Sequence, residues 1–128
     1  MTIGIYLFTN KINGKQYIGQ SLNIEKRYAD HRTRPFTKTS SSYNTTFYKA
    51  IRKYGFNNFN FEIIDSSDNY TKQDLNRLEC QYIAQYNTWK NGYNETPGGD
   101  CVYIHYNIPE KTRKEIRMEV ITIESGLW

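Results

Sequence analysis

Cysteine, histidine and long apolar runs are all scarce in this chain of 128 residues. The two cysteines, Cys80 and Cys101, lack the paired spacing that zinc or a redox couple needs, so both are expected as free thiols in a reducing compartment. No stretch approaches the ~20 apolar residues that cross a bilayer. The N-terminus shows no charged leader followed by an apolar run, so secretion is not expected and the cytoplasm is the expected location. There is no internal repeat and no low-complexity run.

Aromatic and basic residues are plentiful. Aromatic content is 16%, mostly from twelve tyrosines, which is too aromatic and too periodic for a disordered chain. The net charge of +4 is unevenly spread. Residues 1–64 hold ten Lys/Arg against three Asp/Glu, a balance of +7, whereas residues 65–128 hold seven against ten, a balance of −3. A basic half on a small domain calls for an anionic partner, nucleic acid first. The bland alternative is a solvated basic face.

The strongest local signal is Asn13-Gly14, a hairpin turn between Gly4-Ile5-Tyr6 and Tyr17-Ile18-Gly19. Strands are expected over 3–9 and 16–20. A two-residue turn would set Tyr17 opposite Asn10, on the same face as Tyr6 but roughly 13 Å away along the strand. Bringing the two phenols closer would need a bulge or a longer turn. A first helix is expected over 22–32, capped by Ser21 or Asn23, then a loop over 33–44. Phe47, Ala50, Ile51 and Tyr54 mark a second helix over 45–54, stopped by Gly55. Phe59, Phe61 and Ile63 alternate as a third strand over 59–65. Thr71 to Asp74 resembles a capping box opening a helix to about residue 87. An extended segment over 102–106 and a tail helix from Asn107–Pro109 to about 120 complete the reading. The fold class is α+β: a small three-stranded antiparallel sheet flanked by helices, with a domain over 1–99 and a short helical tail over 100–128.

Three groups stand out chemically. Arg27 and His31, four apart, share one helix face near the helix–sheet boundary, where a guanidinium grips phosphate and an imidazole moves a proton. Glu79 interrupts an apolar stripe between Leu75 and Ile83, a costly place for a carboxylate unless it pairs with a cation or holds a divalent metal. Tyr6 and Tyr17 are either ring packing or proton acceptors. In the second role their pKa must fall by roughly two units, with Arg27, Lys26 and a bound cation as the sources of field.

In this order, Gly4-Ile5-Tyr6, Tyr17-Ile18-Gly19, Arg27, His31, Glu79 and Gly92-Tyr93-Asn94 resemble the GIY-YIG nuclease family over residues 1–99, most closely the homing endonucleases of phages and bacteria. The resemblance implies cleavage of double-stranded DNA with one divalent metal, magnesium or manganese in its place. It makes Glu79 the metal ligand, Arg27 the phosphate-binding arginine, and Tyr6 and Tyr17 the active-site tyrosines, with Tyr17 favoured as base. His31 matches a helix histidine, and Asn94 the asparagine that closes the site. Lys26, Arg32, Arg34, Lys49, Arg52 and Lys53 are the candidate DNA contacts. One departure is visible: the loop that often carries a histidine reads Ser40-Ser41-Ser42-Tyr43 here. Only 29 residues follow Gly99, with one cysteine and one histidine, too few for a zinc module. Sequence readout then calls for relaxed specificity, a homodimer or a separate recognition partner, unless the chain is a fragment of a longer protein. The alternative from another class is a DNA-binding module without turnover. An Asn-, Tyr-, Lys- and Ile-rich composition suggests an AT-rich phage or bacterial genome.

Overall fold

Asn13-Gly14 turns the chain as expected, but within a larger loop. In the computed structural model, which describes residues 1–98, β1 (Gly4–Asn10) pairs with β2 (Gln16–Ser21) so that Phe8 faces Tyr17 and Tyr6 faces Gly19. This register is shifted by two from that of a two-residue turn. The loop spans residues 11–14, closed by Asn10 N–H donating to the Lys15 carbonyl at 2.9 Å and Gly14 N–H to the Asn10 carbonyl at 2.8 Å. The Asn10 and Asn13 side chains accept from the backbone N–H groups of Ile12 and Lys15, building side-chain turns inside the loop. Gly14 takes φ +77°, where a β-carbon is disfavoured. Because the shift is even, Tyr6 and Tyr17 still share a face, and their ring centroids are 6.5 Å apart.

β1 is the central strand of a sheet ordered β2-β1-β3, with β3 (Phe59–Ser66) antiparallel to it. Its odd residues Ile5 and Leu7 join Ile18 under α3 (Lys72–Tyr86), packing on Leu75 and Ile83. Its even residues Tyr6 and Phe8 face α1 (Ile24–Thr33) and α2 (Thr46–Tyr54), packing on Ile24, Phe47 and Ile51. The three-layer arrangement buries both faces of the middle strand, so its sequence is apolar on both sides. The alternation holds through Ile63, which lies opposite Tyr6 on the face of Phe59 and Phe61 and is 43% exposed, while Ile64 packs towards α3. A register shift between Ile5 and Tyr6 then sets Asp65 opposite Ile5, on the α3 face.

The helix signals hold in detail. Asn23 caps α1 by accepting from Lys26 N–H, Thr45 caps α2, and Thr71 with Asp74 forms the reciprocal capping box of α3. Gly55 ends α2 at φ +89°, and Asn87 ends α3 in the left-handed region. The loop after α1 contains a single 3-10 turn, Arg34–Phe36. Asp65 on β3 accepts hydrogen bonds from the Tyr70 and Tyr82 hydroxyls, both at 2.8 Å, which pins α3 to the sheet. The free-thiol expectation fails for Cys80, which is disulfide-bonded. The expected strand over 102–106 and the tail helix lie outside the described residues.

One glycine governs what the sheet can present. A β-carbon at Gly19 would overlap the Cζ and Oη of Tyr6, so the Tyr6 ring reaches across the edge strand through the space that Gly19 leaves. Gly19→Ala should therefore displace Tyr6 and cost about 1–3 kcal/mol, as overpacking does. Urea unfolding measures that loss, and unchanged stability would contradict the close approach.

Candidate active site

Four elements converge at the β2 edge. Tyr6 comes from β1, Tyr17 from β2 and Arg27 from α1, while Glu79 arrives from α3 around the β2 edge. A cleft of about 550 Å³ is lined by Tyr6, Tyr17, Lys26, Arg27, Lys72 and Glu79. A smaller one of about 190 Å³ lies beside it, and Tyr17, Arg27 and Glu79 line both.

The segment after α3 holds this edge in place. Tyr93 N–H donates to the Gln16 carbonyl at 2.9 Å, and the Asn94 side chain pairs with Ile18, accepting from its N–H and donating to its carbonyl, each at 2.8 Å. Asn94 thus satisfies backbone groups of an edge strand that would otherwise face outward. The Tyr93 hydroxyl accepts from the Asn10 and Asn13 amides, which ties the segment to the hairpin loop. Glu95 accepts from the Thr46 N–H at 2.6 Å and from its hydroxyl at 2.8 Å, fastening the same segment to the start of α2. Asn94 is therefore a positioning group beside Tyr17, with both ends of its amide engaged.

His31 is 1% exposed and does not sit on a rim. Its Nε2 lies 2.7 Å from the Tyr6 hydroxyl and its Nδ1 2.8 Å from the Tyr48 hydroxyl. Burial, with Arg27 and Arg34 nearby, pushes its pKa down to about 3, so the ring is neutral at physiological pH. Of the helix pair expected to meet phosphate, Arg27 alone lines the larger cleft, and His31 borders only the smaller one.

The phenols also differ from expectation. Burial raises Tyr6 well above 10, and raises Tyr17 to about 12 with a further push from Glu79. Arg27 opposes both shifts and is outweighed. Tyr17 stacks on Phe47 with ring centroids 4.1 Å apart, and among the described residues its hydroxyl has no hydrogen-bond partner. The Tyr6 hydroxyl, by contrast, is hydrogen-bonded to His31.

Burial also raises Glu79, partly offset by a hydrogen bond from Gln20 and by Lys72. No ion pair among the described residues uses it. A half-buried carboxylate without a salt-bridge partner, on an open cleft, suits a hard divalent cation that keeps most of its waters. No cluster of three or more His, Cys, Asp or Glu that could hold a metal exists among the described residues.

The expected DNA contacts divide. Lys26 lines the larger cleft and pairs with Asp30 at 3.7 Å. Arg34 also pairs with Asp30, at 3.5 Å, and Lys53 lies over the Tyr54 ring. Arg32 and Lys49 are exposed outside both clefts. Arg52 is turned inward: it donates to the Pro35 carbonyl at 2.6 Å and lies 3.8 Å from the Tyr43 ring centroid, so it anchors a loop. Lys72 was missed. It lines the larger cleft and donates to Gln20 at 2.7 Å. Tyr48 was missed as well, because its place beside Phe47 gives it no signal apart from the apolar stripe.

A model of the GIY-YIG catalytic domain matches residues 2–94. Probable intron-encoded endonuclease 1 of Neurospora crassa is 33% identical over 95 residues, which are 71% of this chain and 29% of that protein, so the chain spans under a third of that relative's length. The catalytic domain of intron endonuclease I-TevI, solved as a mutant, has a TM-score of 0.68 at 27% identity, covering 77% of this chain and 98% of that one. A second structure, of the catalytic domain of homing endonuclease I-TevI, gives 0.64 at 28% identity, covering 75% and 99%.

Two outcomes test the site's architecture. Asn94→Ala leaves the Ile18 N–H and carbonyl without partners and should cost about 1–3 kcal/mol in chemical unfolding. The second concerns pH. With its folded pKa near 3 and an ordinary value of 6.5, His31 contributes stability that is complete above 6.5 and lost as pH falls through that window. Thermal melts from about pH 7 to about pH 5 should show a fall in Tm that His31→Gln removes, above the range where most carboxylates titrate. Glu79, raised by burial, acts in the opposite sense in both proteins.

Proposed function

Because this chain belongs to the GIY-YIG catalytic domain family, we propose that it is a divalent-metal-dependent endonuclease that hydrolyses phosphodiester bonds of double-stranded DNA. The observation that carries this reading is the meeting of Tyr6, Tyr17, Arg27 and Glu79, from four different elements, on one cleft. Two aromatic hydroxyls, one fixed cation and one unpaired carboxylate form a set suited to a phosphate and an attacking water.

Glu79 would hold magnesium, or manganese in its place. The bound cation supplies neutralising charge at the phosphate. Arg27 would grip a non-bridging phosphate oxygen while remaining beside Tyr6. Tyr6 would accept the proton of the attacking water. The sequence favoured Tyr17 for this task, and the support for Tyr6 is its proton outlet. A neutral phenol with a raised pKa is a poor base alone, but Tyr6 can take a proton on its oxygen while passing its own to His31 at 2.7 Å. The water oxygen bonds to phosphorus, the bond to the 3′-oxygen breaks, and the products carry 5′-phosphate and 3′-hydroxyl ends. Tyr17, between Phe47 and the cleft, would orient the water.

A single site cuts one strand per encounter, so a double-strand break needs a second encounter or a second copy. DNA-sequence preference would be added by a second copy, a separate recognition partner or further protein beyond the nuclease domain. The composition suggests a phage or bacterial setting, with action in the cytoplasm.

Supercoiled plasmid should be nicked or linearised with magnesium and stay intact with EDTA. Glu79→Ala and Arg27→Ala should each slow cleavage on the order of 100-fold or more. Glu79→Ala should still retard DNA in a low-salt gel shift. Undiminished cleavage by Glu79→Ala would remove the metal assignment, and DNA binding without any metal-dependent product would leave a binding module instead.

A further inference from the structure

His31 makes a second hydrogen bond that the reaction described above does not use. Tyr48, on α2, is 2% exposed, and its hydroxyl lies 2.8 Å from His31 Nδ1. No other hydrogen bond to that hydroxyl occurs among the described residues. A side chain buried this deeply, with its one polar atom aimed at an imidazole nitrogen, is placed for that nitrogen. Tyr48 and His31 both line the cavity of about 190 Å³ beside the main cleft, so the hydrogen-bonded pair borders space open to water.

The polarity of the chain follows from its other end. A neutral imidazole carries one N–H and one lone pair. Tyr6 can pass its proton inward only if its O–H donates, and the acceptor at 2.7 Å is Nε2. The ring proton then sits on Nδ1 and donates to Tyr48.

We propose that Tyr48 is a positioning residue for the cleavage reaction: it holds His31 in the Nδ1–H tautomer and ends a three-group chain by which the proton taken by Tyr6 leaves the site. The proposal rests on Tyr6 being the proton acceptor. In the step, the attacking water gives a proton to Tyr6 Oη as its oxygen bonds to phosphorus. The Tyr6 hydroxyl proton passes to Nε2, the Nδ1 proton passes to Tyr48 Oη, and the Tyr48 hydroxyl proton passes to cavity water. The electron pair of the broken P–O bond leaves on the 3′-oxygen, which takes a proton from solvent. After product release, Tyr48 takes a proton from cavity water and Tyr6 releases one to the cleft, which restores the starting tautomer. No imidazolium forms, as suits a ring whose charged state is opposed by burial and two arginines.

The test uses the full chain, supercoiled plasmid and magnesium. Nitrogen-15 NMR of the wild-type ring should show the Nδ1–H tautomer, and an Nε2–H ring would overturn the proposal without any variant. Tyr48→Phe should stay folded at the assay temperature with a Tm lowered by the lost buried hydrogen bond, keep its DNA affinity, lose kcat on the order of 100-fold with KM unchanged, and give a mixed tautomer signal. The proton inventory in mixed light and heavy water should be curved for wild type, with several protons in flight, and straight for Tyr48→Phe. A Tyr48→Phe protein that cleaves at the wild-type rate overturns the proposal. Tyr6→Phe separates the two levels: full activity there removes the Tyr6 reading itself, whereas an inactive Tyr6→Phe beside a fully active Tyr48→Phe removes only the role of Tyr48.

Discussion

The Tyr6 ring lies across the edge strand where Gly19 leaves room for it, and most of the site depends on that close approach. A ring rooted on the central strand is fixed by packing on both sides of its backbone, yet its hydroxyl emerges beyond the sheet. There it meets Arg27 and His31 from α1 and faces the cleft shared with Tyr17 and Glu79. Any side chain at position 19 would push the ring back and break the geometry at its root. The glycine therefore acts through absence of volume, since neither a turn nor a positive φ requires it.

The two halves of the β2 edge are treated differently. The first half of β2 is covered by Tyr93 and by the Asn94 amide, which occupy the backbone groups of Gln16 and Ile18. The remainder is left to side chains: Gln20 bridges Lys72 and Asn76 across to α3. The cleft begins where the backbone cover stops. Glu95 extends the same segment to α2, so one short stretch of chain fixes the relation between strand, hairpin loop and helix. Rigid placement of this kind is what a site needs when its groups come from distant parts of the sequence.

Much of this could be read from residue order. The caps at Asn23, Thr45 and Thr71 are local chemistry and were legible. So was the parity that puts Tyr6 and Tyr17 on one face, because any even register shift preserves it. The register was not legible. Asn13-Gly14 is the usual two-residue turn signal, and only the side-chain bonds of Asn10 and Asn13 reveal the longer loop. The bulge that turns Asp65 to the α3 face, out of the alternation of Phe59, Phe61 and Ile63, has no marker in the sequence. His31 was read as a rim group because polar residues surround it on α1, where Ile24 and His31 are the buried positions. Its burial comes from rings supplied by other elements. Arg52 looked like one more surface cation for the same reason: its partners, Pro35 and Tyr43, lie in a loop whose path the sequence does not specify.

The two clefts share a wall of Tyr17, Arg27 and Glu79, and neither is a closed pocket. The site is thus a saddle rather than a socket. A polymer can be laid over a saddle sideways, with chain continuing in both directions from the point of contact, whereas a socket admits only a terminus. Indifference to strand ends is in this sense a property of shape, set by how α1 and α3 flank the β2 edge before any chemistry takes place.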